Sequence, residues 1–309
     1  MLTIFSTPKP FQGHIGVIQR NAIESWLQLS PGIEVILFGD DSGAAEAGRD
    51  FGIRHVKSIE LHPSGAPCLQ SIFAQVQTFA RHEMACYINC DIVLMRDFLI
   101  ALQQVSSWRK RFLMVGRRWD TPVTRPLDFQ DPDWERRLRG FAMRSGKQQL
   151  PYAVDYFVFS RGLYADMPPF AVGRTYWDHW MVWKARYDGV PVVDVSAGVR
   201  AIHQNHDYSH HPAGREGVST GSESRRNRAL AGGQLHLYTI EHATHQLVDG
   251  RIEDKPGSWH VPMTFLLRLY SSQVWYWLLK STFRFRHALG LHRRSLVELR
   301  HRVRSSLGE

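Results

Sequence analysis

The chain has 309 residues, enough for one large or two small domains around a substantial core. Apolar residues make up 43% and charged residues 22%, ordinary globular proportions that exclude wholesale disorder, collagen-like and coiled-coil organisation. Lys and Arg number 38 against 29 Asp and Glu, a formal charge of +9 that suits an acidic partner, while three cysteines (Cys68, Cys86, Cys90) are too few for a disulfide framework and fit a reducing compartment.

The amino terminus, MLTIFSTPKPFQG, has no cationic n-region and no apolar h-region, so a secretory signal is not expected. No apolar run reaches the ~18 residues of a spanning helix. A cytoplasmic protein is expected, soluble or peripheral on the inner face of the membrane.

Leu2 to Ser6 reads as a strand, followed by the turn-forming stretch Thr7 to Gly13. Ile15, Ile18, Ala22, Trp26 and Leu29 recur at helical spacing and stop at Ser30-Pro31-Gly32. Glu34 to Phe38 is a buried-strand pattern ending in Gly39-Asp40-Asp41-Ser42-Gly43. A short helix over 44–51 and a strand over 54–59 follow. Helical spacing over 67–84 leads into an apolar run, 86–94, broken by Asn89 and Asp91. A helix over 98–105 and a strand over 112–116 complete the first half. Strands alternating with helices predict βαβ units and a mainly parallel sheet with helices on both faces, its ligands at the carboxyl ends of the strands.

Residues 119–150 are polar and read as an excursion, with a short helix over 133–143. A strand over 154–159, a helix over 177–187 and a strand over 190–195 return to the core. Residues 205–233 are rich in Gly, Ser, Arg and His and read as a mobile loop. No internal repeat is visible. From residue 262 to 309, nine Lys or Arg stand against Glu298 and Glu309, interleaved with aromatic and aliphatic residues. That composition suits an interfacial helix on anionic lipid, or a helix packed on the main domain with a solvated basic face. No nucleic-acid module is present, and nucleic acid is not an expected partner.

Asn89 and Asp91, alternate residues at a strand exit, would face the same way and suit a hard divalent cation bridging phosphates; a polar strand end tied to a loop is the bland alternative. Asp40 and Asp41 end the second strand on the ligand face, where a carboxylate accepts from ribose hydroxyls or simply makes a turn. Asp178 lies in the first turn of its helix among Trp177, Trp180 and Trp183. There it gains from the helix dipole, or acts as a general base beside aromatic faces that pack a sugar. His203, His206, His210 and His211 cluster after the last core strand, and spacing does not select a ligand among them.

In this order the pieces resemble the nucleotide-sugar-dependent glycosyltransferases of the GT-A fold, particularly bacterial family-two-like members. YINCDIVL stands at their DxD region, WDHW at their acidic base and IHQNHDYSH at their late histidine. Asn89 replaces the first DxD acid, and Trp177 stands where a glutamate is usual. The resemblance implies a catalytic domain over 1–240, with a nucleotide-sugar-binding half (1–118) and an acceptor half (150–240). Residues 241–309 then form a C-terminal extension with basic amphipathic helices.

The resemblance further implies transfer from a nucleoside-diphosphate sugar to a hydroxyl of a glycan or lipid-linked acceptor, with inversion. Thr7, Pro8, Asp40, Asp41, Asn89 and Asp155 would hold the donor. Asp91 and His203 would bind Mn²⁺ or Mg²⁺, Asp178 would act as base, and Trp177 and Trp180 would meet the acceptor. The segment 262–309 would face an anionic membrane surface. The competing expectations are a sugar-phosphate nucleotidyltransferase, for which FSTPKPFQGHIG lacks the glycine density of a phosphate loop, and a non-catalytic protein binding a membrane surface or polyanion.

Overall fold

The structure, a computed structural model, describes residues 1–207, 214–233 and 236–256. Along them run β1 (Leu2–Ser6), α1 (Gly13–Leu29), β2 (Glu34–Phe38), α2 (Ala44–Asp50), β3 (Arg54–Val56) and α3 (Leu69–Phe79). Next come β4 (Met84–Ile88), β5 (Ile92–Val93), α4 (Arg96–Trp108), β6 (Leu113–Thr121), α5 (Trp134–Ser145) and β7 (Lys147–Gln148). The chain continues through β8 (Val154–Ser160), α6 (Trp177–Tyr187), β9 (Val192–Asp194), β10 (Ala201–Gln204), α7 (Gly214–Thr220) and α8 (Ser222–Leu230). A 3-10 turn, Ile240–His242, precedes β11 (His245–Val248) and β12 (Arg251–Asp254).

The main sheet has the order β12-β11-β9-β6-β8-β4-β1-β2-β3, and every strand of that path except β8 and β12 runs the same way. The expected mainly parallel α/β sheet is present. Because β8 is reversed between β4 and β6, its amino end emerges where β1, β2, β4 and β6 finish, and one edge of the sheet gathers all five.

Strand alternation divides the core into two layers. Phe5, Ile36, Phe38, Ala85 and Tyr87 face α3 and α6, whereas Ile4, Val35, Leu37, Cys86 and Ile88 face α1 and α4. Side chains such as Trp26, Phe73 and Phe159 are fully enclosed, each burial contributing roughly 2–3 kcal/mol before chain entropy is counted. Among the described residues, no helix is long and apolar enough to cross a membrane.

Four segments differ from the sequence expectation. The apolar run 86–94 is two short strands, because the Ile92 amide donates to Asn89 O and closes a turn between them. β6 does not stop near Gly116. It continues to Thr121 through a register shift between Val115 and Arg117, a bulge that sequence reading takes for a strand end.

The third difference lies in the expected loop 205–233, which carries α7 and α8. Asn227 pins α8 by accepting from Ala171 N and donating to Ala171 O and Thr175 O, so amide hydrogen bonds rather than an apolar stripe hold it. Lastly, the sheet runs on past residue 240, with β11 joining β9 and a hairpin turn at Asp249-Gly250, both in the left-handed region, returning β12. His210, His211 and the basic segment 262–309 lie outside the described residues.

Candidate active site

The turn after β4 brings Asp91 to the carboxyl edge of the sheet, and its backbone is held from several sides. Ser6 donates to Ile88 O, Trp26 Nε1 to Ile92 O, and Gln204 Nε2 to Asp91 O. β10 pairs antiparallel with β5 and parallel with β6, which carries His203 across the same edge.

Three donor groups converge there. His206 Nε2 lies 3.0 Å and His203 Nε2 4.0 Å from Asp91 Oδ2, and one ligand atom from each of the three residues falls within 4.8 Å of the others. Burial opposes ionisation of Asp91, but the fields of His203, His206 and Lys9 and the His206 hydrogen bond outweigh it and hold the carboxyl well below its usual range. A divalent cation fits these residues. Asp91 Oδ1 is buried without a hydrogen-bond partner, and one carboxylate oxygen with two imidazole nitrogens is a donor set that suits Mn²⁺ better than Mg²⁺. Lys9 stands beside it, its Nζ 3.8 Å from Asp91 Oδ2 and 3.2 Å from His206 Nε2. Gln19 fixes the Lys9 backbone by accepting from its amide and donating to its carbonyl.

A second network adjoins the first. Arg118 Nη1 lies 2.8 Å from Asp155 Oδ2, and Arg118 Nε 2.8 Å from Asp120 Oδ1. Asn89 Nδ2 donates to Asp155 Oδ1 at 2.6 Å, and His203 Nδ1 is 3.0 Å from Asp120 Oδ1. Although burial works against its charge, the Arg118 guanidinium is held even more firmly protonated by Asp155 and Asp120. For Asp120, burial is outweighed by His203 and Arg118, and its carboxyl lies below the ordinary value. Asn89 and Asp91 thus do not point the same way: the turn sends Asn89 to Asp155 and Asp91 to the imidazoles.

Asp178, in the first turn of α6, is half-buried, and its Oδ1 is enclosed without a partner. Desolvation raises its pKa and the nearby Asp155 adds to the rise, against the opposing influence of His179, whose Nε2 is 3.9 Å from Asp178 Oδ2. Just before the helix, Tyr176 takes a left-handed backbone, φ 88°, an uncommon conformation for a tyrosine.

The remaining expected contacts separate. Trp177 and Trp180, expected at the acceptor, belong to the core at 6% and 5% exposure. Trp177 packs against Tyr87 and Phe157, and Trp180 against Phe170 and Trp183, so their rings are occupied by aromatic neighbours. Asp40 is exposed and pairs with Lys57 at 3.0 Å. Asp41 is nearer the edge: its Oδ2 and the Thr7 methyl flank Gly39, and burial followed by Asp40 raises its pKa. Pro8 is buried.

Lys9, Arg118 and Asp120 are absent from the sequence-derived site. Arg118 and Asp120 alternate along β6 and reach the same edge, a signal hidden by ending the strand at Gly116.

No protein-family model matches the chain, and no curated protein matches its sequence. Among solved structures it is similar to TarS of S. aureus, residues 1–349, at 11% identity and a TM-score of 0.44, covering 66% of this chain and 60% of that one. It is similar to glucosyl-3-phosphoglycerate synthase from Mycobacterium tuberculosis in complex with Mg²⁺ and uridine diphosphate, at 14% identity and a TM-score of 0.45, covering 86% and 92% of the two chains. It is also similar to the mannosyltransferase PcManGT from Pyrobaculum calidifontis in complex with GDP-Man and Mn²⁺, at 12% identity and a TM-score of 0.41, covering 65% and 56%. The chain thus spans about 60% of the length of the TarS fragment.

Proposed function

We propose that the protein is a glycosyltransferase that moves a sugar from a nucleoside-diphosphate sugar to an acceptor hydroxyl, with a divalent cation and with inversion. One observation carries the reading: beside a metal-competent Asp91–His203–His206 cluster at the carboxyl edge of the α/β sheet, Arg118 pairs with Asp155, whose field reaches the half-buried Asp178 carboxyl. A metal centre alone would not require the acid, and a fold-stabilising acid would not be left with an enclosed, unpartnered oxygen.

In this reading Thr7 and Asp41, on either side of Gly39, receive the nucleoside. Asp91, His203 and His206 would hold the cation, which when bound would supply positive charge to the departing diphosphate. Lys9 adds a fixed ammonium beside the same oxygens. Asp155, oriented by Asn89 and Arg118, offers its remaining lone pairs to hydroxyls of the donor sugar. Asp178 takes the proton of the acceptor hydroxyl while that oxygen attacks the anomeric carbon on the face opposite the diphosphate, which inverts the centre. The acceptor is a glycan or lipid-linked hydroxyl, and the basic, aromatic segment 262–309 gives the chain a means of holding to an anionic membrane.

A panel of nucleoside-diphosphate sugars, each assayed with Mn²⁺ for nucleoside-diphosphate release, tests the reading. Release from at least one donor, lost in Asp91→Asn and Asp178→Asn alike, is expected. Release that survives both substitutions would refute it.

A further inference from the structure

At the sheet edge opposite the active site, where β6 and β9 begin, the turn after α4 and the end of α6 border an open cavity of about 730 Å³. That size falls in the range of small-ligand sites. Its wall carries Arg109, Lys110, Arg111 and Arg186 against one carboxylate, Asp188, which Lys184 already engages at 3.2 Å. Among the described residues, Arg109, Lys110 and Arg111 have no carboxylate within ion-pair distance, and all three are exposed. Three consecutive cations without a counter-charge repel one another, and an anion entering the cavity relieves that repulsion. Trp108 forms part of the wall, its ring 4.6 Å from the His245 ring and 5.2 Å from the Arg109 guanidinium carbon. Half-buried tryptophan flanked by cations is the pairing found where proteins meet a lipid surface.

The position of the chain end selects the occupant. The Lys255 amide donates to Thr244 O, and Thr244 lines the cavity, so the last described residues of the chain lie at this edge. The sequence that follows them supplies nine further Lys or Arg against two Glu between 262 and 309. We propose that the cavity seats the phosphate headgroup of an anionic lipid, making this edge of the folded domain a membrane-docking face in its own right. The inference goes beyond sugar transfer and does not depend on it. The seven residue-to-residue steps from Leu113 to Asp120 place the docking edge roughly 23 Å from the active site, which then opens away from the bilayer. An acceptor anchored in the same membrane must span that distance.

The test uses the full chain and a full-chain variant with Arg109→Ala, Lys110→Ala and Arg111→Ala, sedimented with vesicles of phosphatidylcholine alone or with phosphatidylglycerol. A control variant removes equal charge from α5 by Arg136→Ala, Arg137→Ala and Arg144→Ala. Wild type is expected to bind only the anionic vesicles, and the cavity variant to lose about 100-fold in partition while the control loses far less. Equal losses in the two variants, or no loss in the cavity variant, would overturn the proposal. A separate arm follows thermal stabilisation by inorganic pyrophosphate. Stabilisation abolished in the cavity variant without any change in vesicle binding would assign the cavity to a soluble phosphate and overturn the lipid assignment.

Discussion

His203 Nδ1 lies 3.0 Å from Asp120 Oδ1, within ion-pair distance though not aligned as a hydrogen bond, which leaves Nε2 as the ring nitrogen turned toward Asp91. A carboxylate behind a ligating imidazole fixes its tautomer and orientation and raises its basicity. Arg118 in turn fixes Asp120 from the other side. The candidate metal centre is therefore supported from behind by β6.

Asp120→Asn is expected to weaken Mn²⁺ binding about 10- to 100-fold without removing any ligand atom. Calorimetric titration of the metal-free protein with Mn²⁺ reads this directly. An affinity equal to wild type would show that Asp120 does not orient His203.

Lys9 gives a prediction of two signs. Its ammonium, 3.8 Å from Asp91 Oδ2, repels a second cation but attracts a diphosphate. Lys9→Met should therefore bind Mn²⁺ more tightly in the absence of nucleotide and bind nucleoside diphosphate more weakly in its presence. Weakening of both would make Lys9 a structural support of the loop instead.

Asp178→Asn is expected to lower kcat by about 10²- to 10⁴-fold. If Asp178 is the base, as proposed, its working form is the ionised carboxylate, whose pKa burial raises with help from Asp155 and against His179. The acid limb of kcat/KM should then lie above the ordinary carboxylate range and vanish in the variant. Stability moves oppositely: the folded state holds the Asp178 proton more tightly than the unfolded one, so stability falls as pH rises from the unfolded pKa through the folded one. At neutral pH the amide variant escapes that cost and should melt higher than wild type.

Gly116 sits at the bulge that redirects β6 toward Arg118 and Asp120, and an added Cβ would collide with the Tyr156 hydroxyl. Gly116→Ala should destabilise the fold by about 1–3 kcal/mol. The Tyr156 hydroxyl is buried without a hydrogen-bond partner, so Tyr156→Phe should be close to neutral and should recover part of the loss in the double variant. Denaturant melts of the three variants measure this, and a double variant as unstable as Gly116→Ala alone would place the collision elsewhere.

The alternation of apolar strands and amphipathic helices made the sheet and its ligand edge legible, because burying two faces of a sheet leaves period-2 and period-3.6 patterns in the sequence. Asp91 and Asp178 were legible because each sits at the end of an element that periodicity could locate, whereas Asp155 and His203 follow from the family resemblance, since spacing does not select among the histidines. Arg118 and Asp120 were not, since a bulge at Gly116 imitates a strand end. Helix α8 was hidden because Asn227 amide bonds hold it, and these leave no hydrophobic period. Trp177 and Trp180 were assigned to the acceptor on residue type, whereas neighbours from β4, β8 and the 164–170 segment enclose them; only tertiary packing decides between those fates.

The most direct measurement is Mn²⁺-dependent turnover of a nucleoside-diphosphate sugar by the full chain, followed as nucleoside-diphosphate release before and after EDTA. Activity abolished by EDTA, restored by excess Mn²⁺ and absent in Asp91→Asn is the expected result. Turnover undiminished in EDTA, or retained in Asp91→Asn, would contradict a metal-assisted sugar transfer at this edge of the sheet.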